Sequence, residues 1–260
     1  MQAKAPKILA LAGTQEARKL LPILAALSDH PLIASLAGVG NNPRLNYGHH
    51  IEMRTGGFGG IAGLIAFCRA QQITHILDLT HPYAAKISEN ARQAALALGL
   101  DFTHYHRPAW QPQADNLLPL WREFDSFNHM ADALPKGAHL FLAAGEAAAA
   151  IFSSSTQNDI KCHYRSLKPA ATLLPPHFHH IPFVPSAHES QDELIDFFCK
   201  HTITHVICKN SGGKDGLQKL YAARALELPI WVLARPTNPN LDAYRFDDLA
   251  QIEAKFKAIL

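Results

Sequence analysis

Two stretches of this sequence share one layout, and that layout restricts the possible folds more than any other feature. They cover residues 74–108 and 203–236. Each begins with a short strand-like run that contains Thr-His, passes through a polar turn into a helical pattern that contains Ala-Arg, and ends with a second strand-like run and Arg-Pro. A strand–turn–helix–strand unit is typical of a parallel sheet. Convergence under the same physics explains the similarity at least as well as gene duplication does.

The first stretch carries its polar residues where a strand ends. Its first predicted strand is followed by Thr80, His81, Pro82 and Tyr83. Pro82 suits the first position of a helix, because its missing N–H costs nothing there. Ligands of parallel sheets lie beyond the carboxyl ends of the strands. We therefore expect Thr80, His81 and Tyr83 at a ligand site, together with Arg107 beyond the next strand.

The polar turn of the second stretch contains a cation, an amide, a hydroxyl and two glycines. These residues are Lys209, Asn210, Ser211, Gly212 and Gly213. Such groups at the carboxyl end of a strand suit an anionic ligand. A solvated turn is the alternative, but it would not explain why so many ligand-type groups collect there.

The first strand is predicted over residues 7–12, and a helix follows from residue 15. Gly13 and Thr14 lie between them. A glycine turn before a helix N-terminus is a place where phosphate binds, because free N–H groups and the helix dipole point at it. The full G-x-G-x-x-G pattern is absent here. A phosphate site and an ordinary tight turn capped by Thr14 therefore remain equally open.

A second glycine turn surrounds one aromatic residue, Phe58, with Gly56, Gly57, Gly59 and Gly60. An apolar helical pattern follows it directly. Glycine permits positive φ angles and close approach of a ligand to the backbone. A flexible linker would be glycine-rich too, but it would not usually hold a central aromatic side chain. We therefore favour a ligand-binding loop.

Composition narrows the class of protein. The chain has 260 residues, a formal net charge of +2 and no cluster of lysine or arginine, which speaks against nucleic-acid partners. No apolar run is long enough to span a bilayer. The four cysteines are scattered without a C-x-x-C pair, which predicts buried free thiols and a cytoplasmic protein. The alternating histidines at 177, 179 and 180 lack a neighbouring acid or cysteine, so we expect a solvated strand edge and no metal.

A segment rich in proline and polar residues, 109–119, interrupts the strand–helix rhythm. We therefore predict two domains, residues 1–115 and 116–260. The second is expected to include a closing amphipathic helix over residues 247–260.

Six segments together resemble the precorrin-6A reductase family of cobalamin biosynthesis. They are residues 12–18, 35–38, 56–60, 80–84, 107–108 and 209–213. They follow one another in order over most of the chain, and the resemblance is thinnest between residues 121 and 190. It implies an α/β fold of two Rossmann-like domains, each a parallel sheet flanked by helices, with the active site in the cleft between them. The N-terminal domain would bind the cofactor and the C-terminal domain the substrate.

The resemblance also implies an activity, the reduction of one double bond of the tetrapyrrole-derived precorrin-6A macrocycle by a nicotinamide cofactor. Reduction of the cobalt-containing precorrin-6A of the anaerobic pathway is an alternative. Two others are a reductase of a different substrate, such as a flavin or a sugar nucleotide, and a non-catalytic nucleotide-binding module. NADPH is favoured on family grounds, with NADH left open. Many relatives that use NADPH carry an arginine where this chain has Val39, and Arg44 is the nearest positive charge for a ribose 2′-phosphate.

The resemblance implies roles for individual residues. Those expected to bind the cofactor are Gly13, Thr14, Glu16, Gly57, Phe58, Gly59 and Gly60. Those expected to bind the substrate are Thr80, Arg107, Lys209, Asn210, Ser211, Gly212 and Gly213. His81 and Tyr83 are the candidate proton donors, and solvent is the alternative.

Overall fold

The computed structural model describes residues 6–28, 31–36, 50–114, 116–154, 159–166, 169–171, 173–182, 189–214 and 216–260. The chain forms two compact units. The first unit comprises Met1–Arg107 and Pro236–Leu260, and the second unit comprises Pro108–Arg235. Within the described ranges, no helix is both long and apolar enough to cross a membrane.

The first unit contains a parallel sheet of six strands. Its elements are β1 (Ile8–Leu11), α1 (Gln15–Leu27), β2 (Leu32–Leu36), β3 (Ile51–Thr55), α2 (Gly60–Ala70), β4 (His75–Asp78), α3 (Ala85–Leu98) and β5 (Asp101–Tyr105). They are joined, after the second unit, by a 3₁₀ helix (Pro239–Tyr244), β12 (Arg245–Phe246) and α8 (Leu249–Lys257). The strand order is β3-β2-β1-β4-β5-β12, the order of a dinucleotide-binding Rossmann sheet.

The second unit contains another parallel sheet of six strands. Its elements are β6 (Trp121–Phe124), α4 (Phe127–Ala133), β7 (His139–Ala143), α5 (Glu146–Ser154), β8 (Lys161–Ser166), β9 (Phe178–Pro182), α6 (Gln191–Lys200), β10 (His205–Lys209), α7 (Gln218–Ala225) and β11 (Ile230–Leu233). The strand order is β9-β8-β7-β10-β11-β6. The expected α/β class with two Rossmann-like parallel sheets is therefore confirmed.

Both sheets are covered by helices on two faces, which explains why their central strands are continuous apolar runs. In β1, Ile8 and Ala10 join an apolar cluster with α1 and α8, whereas Leu9 and Leu11 join a cluster with α2 and α3. This division follows from the alternation of side chains along a strand. In the second unit, Phe141 packs in a cluster with α6 and α7, while its strand neighbours pack with α4 and α5.

The predicted domain boundaries need correction, because the chain crosses between the units twice. The crossings lie at Arg107–Pro108 and Arg235–Pro236, the two Arg-Pro pairs of the repeated layout, and not near residue 115. The sequence predicts the closing helix in the second domain, but α8 belongs to the first unit. Its Ile252 and Phe256 are fully buried in the cluster that contains β1 and α1. Strand β12 extends the same sheet by pairing with β5.

Three local predictions can be compared with the structure. Helix α3 begins at Ala85 and not at Pro82, because the N–H groups of Tyr83 and Ala84 bond to the ring and the carbonyl of His81 and form a turn first. Three cysteines are buried as expected, but Cys199 is exposed. The histidines near residue 180 lie on or beside β9, an edge strand, as the solvated-edge prediction required.

Candidate active site

The turn between β1 and α1 lies at the carboxyl end of the first sheet. Gly13 has a φ of 115° there, a conformation that favours glycine. The Thr14 hydroxyl caps α1 by accepting the N–H of Ala17 at 3.2 Å, and it donates to the carbonyl of Leu79 at 2.8 Å. The second bond fastens the turn to the residue that follows β4. The capped tight turn is therefore present, and it leaves the first turn of α1 at the sheet edge where phosphates bind.

Glu16 and Arg107 form an ion pair within the first unit. The family resemblance implies that Glu16 binds the cofactor and that Arg107 binds the substrate. Their side chains are 15% and 13% exposed, so each charge is held in a partly buried place by its partner. Removing either one would leave the other poorly compensated. Arg107 is therefore held in position by α1.

The glycine-rich loop after β3 is organised by Arg54, a residue outside the motifs noted in the sequence. The Arg54 guanidinium donates to the carbonyls of Gly56 at 2.5 Å and Gly57 at 2.8 Å. It also lies 3.8 Å from the centre of the Phe58 ring, and that ring packs edge-on against Phe67 of α2. Burial lowers the pKa of Arg54 from its ordinary value, although arginine stays charged at neutral pH. The loop is therefore fixed in shape and is not a flexible linker.

Helix α2 begins directly after this loop. Its N-cap is Gly59, with a φ of 78° and no side-chain capping bond, and Gly60 has a φ of 86°. Gly63 permits the close contact between the helix and the loop, since a Cβ there would lie 1.7 Å from the carbonyl oxygen of Phe58. Nothing lies within 4 Å of a Cβ built at Gly57, Gly59 or Gly60. The outer side of the loop is thus open to a ligand.

The buried residues Asp78 and His104 support the turn that contains Thr80. Asp78 and His104 are opposite each other in β4 and β5, and a carboxylate oxygen of Asp78 lies 2.9 Å from Nδ1 of His104. The other oxygen accepts the N–H of Thr80 at 3.0 Å. Burial alone would raise the pKa of Asp78, but the hydrogen bond and charge of His104, with bonds from Ser88 and Thr80, hold that pKa below its ordinary value. This pair fixes the turn that presents Thr80.

His81 and Tyr83 lie together on the same turn, with ring centres 5.6 Å apart. Nδ1 of His81 accepts the backbone N–H of Tyr83 at 3.3 Å. An accepting Nδ1 carries no proton, so the neutral ring carries its proton on Nε2.

The Lys209–Gly213 loop in the second unit is held by Trp110, another residue outside the motifs noted in the sequence. The buried side-chain amide of Asn210 accepts the N–H of Trp110 at 2.9 Å and donates to its carbonyl at 3.3 Å. The indole N–H of Trp110 donates to the carbonyl of Gly213 at 2.9 Å. Asn210 therefore has a positioning task, while burial lowers the pKa of Lys209.

Further contacts brace the same loop. Arg235 donates from Nε to the carbonyl of Asn210 at 2.6 Å and from its terminal nitrogen to the carbonyl of Pro108 at 3.2 Å. Gly216 lies under the Trp110 ring, where a Cβ would approach a ring carbon to 2.3 Å. Gly212 and Gly213 have φ angles of 67° and 83°, so the backbone turns there in a form that side chains disfavour.

The structure thus brings some of the expected site residues together within each unit. In the first unit, the Gly13–Thr14 turn is tied to the end of β4, next to Thr80, His81 and Tyr83. In the second unit, the Lys209–Gly213 loop is tied to Trp110. Val39 and Arg44 lie outside the described residues. Among the residues that are described, no group of three or more histidine, cysteine or acidic side chains is arranged to hold a metal ion.

Comparison with known proteins identifies the family of this chain. The family model described as "Precorrin-6x reductase CbiJ/CobK" matches residues 7–257. The chain is 34% identical over 241 residues to a precorrin-6A reductase of Rhodococcus erythropolis, with 90% of each chain covered. It is 32% identical over 237 residues to one of Rhodobacter capsulatus, covering 91% of this chain and 90% of the relative.

A solved structure of "CobK precorrin-6A reductase" has the same fold. Its TM-score is 0.83 at 29% sequence identity, and the match covers 97% of both chains. The resemblance noted in the six sequence segments is therefore confirmed along nearly the whole chain. The protein belongs to the precorrin-6x reductase (CbiJ/CobK) family.

Proposed function

We propose that this protein reduces one double bond of the precorrin-6A macrocycle in cobalamin biosynthesis, with NADPH as the hydride source. The observation that carries the proposal is the place of the Gly13 turn. It follows β1 where a sheet of order β3-β2-β1-β4-β5-β12 reverses direction, which is where such sheets bind dinucleotides. The substrate is inferred from relatives named precorrin-6A reductases. The cytoplasmic location and the absence of nucleic-acid partners stay predictions.

The residues of the first unit fit a dinucleotide. A Cβ at Gly13 would meet only the side chain of Leu36, at 3.8 Å, and the outer side of the Gly57–Gly60 loop is open. The N-terminus of α1 would hold the pyrophosphate through its N–H groups. Phe58, fixed by Arg54, would contact the cofactor through its ring. When bound, the nicotinamide supplies a hydride, and the protein supplies orientation and excludes water.

The second unit would bind the substrate, which resembles other tetrapyrroles in carrying many carboxylates. Lys209 supplies a positive charge, and Ser211 with the N–H groups of Gly212 and Gly213 supplies further donors. Asn210 would act by holding the loop against Trp110. Thr80 and Arg107 stay proposed substrate contacts, although Glu16 already offsets the charge of Arg107. Lys209 and Arg107 are therefore both proposed partners of substrate carboxylates.

We assign proton delivery to the turn that contains His81 and Tyr83. Because Nδ1 of His81 accepts the N–H of Tyr83, His81 can donate a hydrogen bond to the macrocycle only from Nε2. The hydroxyl of Tyr83 would give its proton to the carbon of the double bond that does not receive the hydride, and the resulting phenolate would regain a proton from solvent. In Tyr83→Phe, kcat should fall by about 10²-fold or more with little change in KM, the range expected for general acid catalysis.

The decisive experiment follows the nicotinamide absorbance of NADPH mixed with purified protein and precorrin-6A. We expect absorbance to fall only when protein, NADPH and macrocycle are all present. Consumption of NADPH with a flavin but not with precorrin-6A would contradict the proposed substrate. Binding of NADPH without consumption in the presence of the macrocycle would favour the non-catalytic module.

A pair of matched glycine substitutions tests the cofactor site. Gly59 and Gly99 both have positive φ angles and open space around a Cβ. Gly99, however, caps the C-terminus of α3 and lies at the amino ends of the strands, away from the proposed site. Valine at either position should cost a similar amount of stability, roughly 1–2 kcal/mol. Only Gly59→Val should weaken NADPH binding. A folded Gly59→Val protein with unchanged NADPH affinity would count against the proposed cofactor loop.

A further inference from the structure

The end of β2 is where a Rossmann sheet usually reads the ribose of its cofactor, and an arginine there accommodates a 2′-phosphate. In this sequence the three residues that follow β2, Ala37, Gly38 and Val39, carry no charge. We propose that Arg54, on the neighbouring strand β3, supplies the missing charge and makes the protein select NADPH over NADH. This inference rests on the proposed function, because it assigns the specificity of the same cofactor site.

Arg54 lies beside the end of β2. It is the register partner of Ser35 in the β2–β3 ladder, so the two side chains project from the same face of the sheet. A terminal nitrogen of Arg54 donates to the hydroxyl of Ser35 at 3.3 Å. The guanidinium thus reaches the strand end where the ribose is expected, although Arg54 belongs to a different strand.

Among the residues that the structure describes, no carboxylate neutralises the charge of Arg54. Its hydrogen-bond partners are two carbonyls and a hydroxyl, and no acidic residue in the described ranges forms an ion pair with it. Other arginines of the protein do pair with acids: Arg107 with Glu16, and Arg165 with Glu189. Neutral partners hold a guanidinium in place without cancelling its charge. The side chain is therefore ready to attract an anion, with little loss of side-chain freedom on binding.

The beginning of α2 strengthens the attraction. Its N-cap, Gly59, gives no side-chain capping bond, and the space around Gly57, Gly59 and Gly60 is open. The positive end of the helix dipole therefore lies beside the loop that Arg54 holds. Both charges favour a dianionic phosphate. The pyrophosphate is better served by the Gly13 turn at the switch point, so the group left for Arg54 is the 2′-phosphate.

Direct binding measurements test the inference without the macrocycle. Dissociation constants for NADPH and NADH would be measured by nicotinamide fluorescence, with 2′,5′-ADP and 5′-AMP as competing probes. In Arg54→Gln, we expect NADPH and 2′,5′-ADP to bind about tenfold or more weakly, since a charge-assisted contact is lost. NADH and 5′-AMP should weaken much less, because they lose only the bracing of the loop and not the charge-assisted contact with the 2′-phosphate. Arg54→Lys, which keeps the charge, should recover part of the preference.

Matched variants separate this role from general effects. Arg69→Gln removes the same charge from the exposed last turn of α2 and should leave all four affinities unchanged. Equal weakening of NADPH and NADH in Arg54→Gln would mean that Arg54 only shapes the loop, and would overturn the inference. Loss of the preference in Arg44→Gln but not in Arg54→Gln would also overturn it. Failure of the wild-type protein to bind either dinucleotide would overturn the proposed function itself.

Discussion

Replacing Gly63 with alanine tests whether the shape of the glycine loop matters to cofactor binding. On helix propensity alone, alanine inside α2 should stabilise the protein by about 1 kcal/mol. The structure predicts the opposite sign, because the new Cβ would lie 1.7 Å from the carbonyl oxygen of Phe58. That oxygen must retreat by about 1.5–2 Å to reach an ordinary contact distance. Overpacking of this kind costs roughly 1–3 kcal/mol, which leaves a net loss between about 0 and 2 kcal/mol.

Cofactor affinity should fall together with stability. Movement of Phe58 disturbs its stacking on Arg54, now 3.8 Å from the ring centre. Displacements near 1 Å can cost up to about 10²-fold in kcat/KM, so we expect NADPH affinity and kcat/KM to fall about tenfold or more. Unfolding should be followed by far-ultraviolet circular dichroism. Tryptophan fluorescence would report only on the second unit, because Trp110, Trp121 and Trp231 all lie in it.

Gly57→Ala is the informative contrast. A Cβ at Gly57 has nothing within 4 Å, and its φ is outside the left-handed region. Alanine there should leave stability unchanged and weaken NADPH binding only by blocking its approach. If Gly63→Ala instead gains about 1 kcal/mol of stability and binds NADPH as the wild type does, the loop geometry is irrelevant and the reasoning is refuted.

Three further changes have distinct expected outcomes. In Asn210→Ala, the buried N–H and carbonyl of Trp110 lose their partners. The free energy of unfolding, measured in urea by tryptophan fluorescence, should therefore fall by about 2–4 kcal/mol. An unchanged free energy of unfolding would contradict the bracing role. In Lys209→Ala, the KM for precorrin-6A should rise about tenfold with NADPH affinity unchanged, and an unchanged KM would indicate a solvated turn. Burial, with the rings of three nearby histidines, lowers the pKa of His163 to about 4. The unfolded chain binds a proton on His163 near pH 6.5, whereas the folded state disfavours it. The free energy of unfolding is therefore highest above pH 6.5 and falls by about 2 kcal/mol toward pH 4, after allowance for the partly exposed ring. In His163→Phe, chemical denaturation across that range should show a smaller dependence of the unfolding free energy on pH.

Much of the fold could be predicted because central parallel strands appear in a sequence as continuous apolar runs. The strand–turn–helix–strand units near residues 74–108 and 203–236 are present as predicted. Strands β6 and β12 were not predicted, because edge strands bury few side chains. In β6 only Phe124 is buried, and β12 has only 2 residues. Their pairing partners, β11 and β5, are also remote in the sequence. Helix α8 was predicted as a helix, yet its partner sheet could not be read from local periodicity.

The candidate site likewise has parts that the sequence predicts and parts that it does not. Positions that need glycine are visible as glycine, and so both polar loops were found. Side chains that brace those loops depend on pairing across long separations and were not found. Arg54 meets Ser35 only because β2 and β3 pair in one register, and Trp110 meets Asn210 across 100 residues. An arginine 2 residues before a glycine-rich turn was the available signal for Arg54.

The two crossings make the second unit an inserted domain. Its ends are joined within the unit, since Arg235 donates a hydrogen bond to the carbonyl of Pro108, a closeness of termini that insertion into another domain requires. The host domain is therefore interrupted between β5 and β12. During synthesis the inserted domain can fold as soon as its last strand leaves the ribosome. The host domain can complete its fold only after the final residues are synthesised. Until then β5 has no partner at one edge of the sheet, and the apolar surface of α1 that α8 covers is exposed.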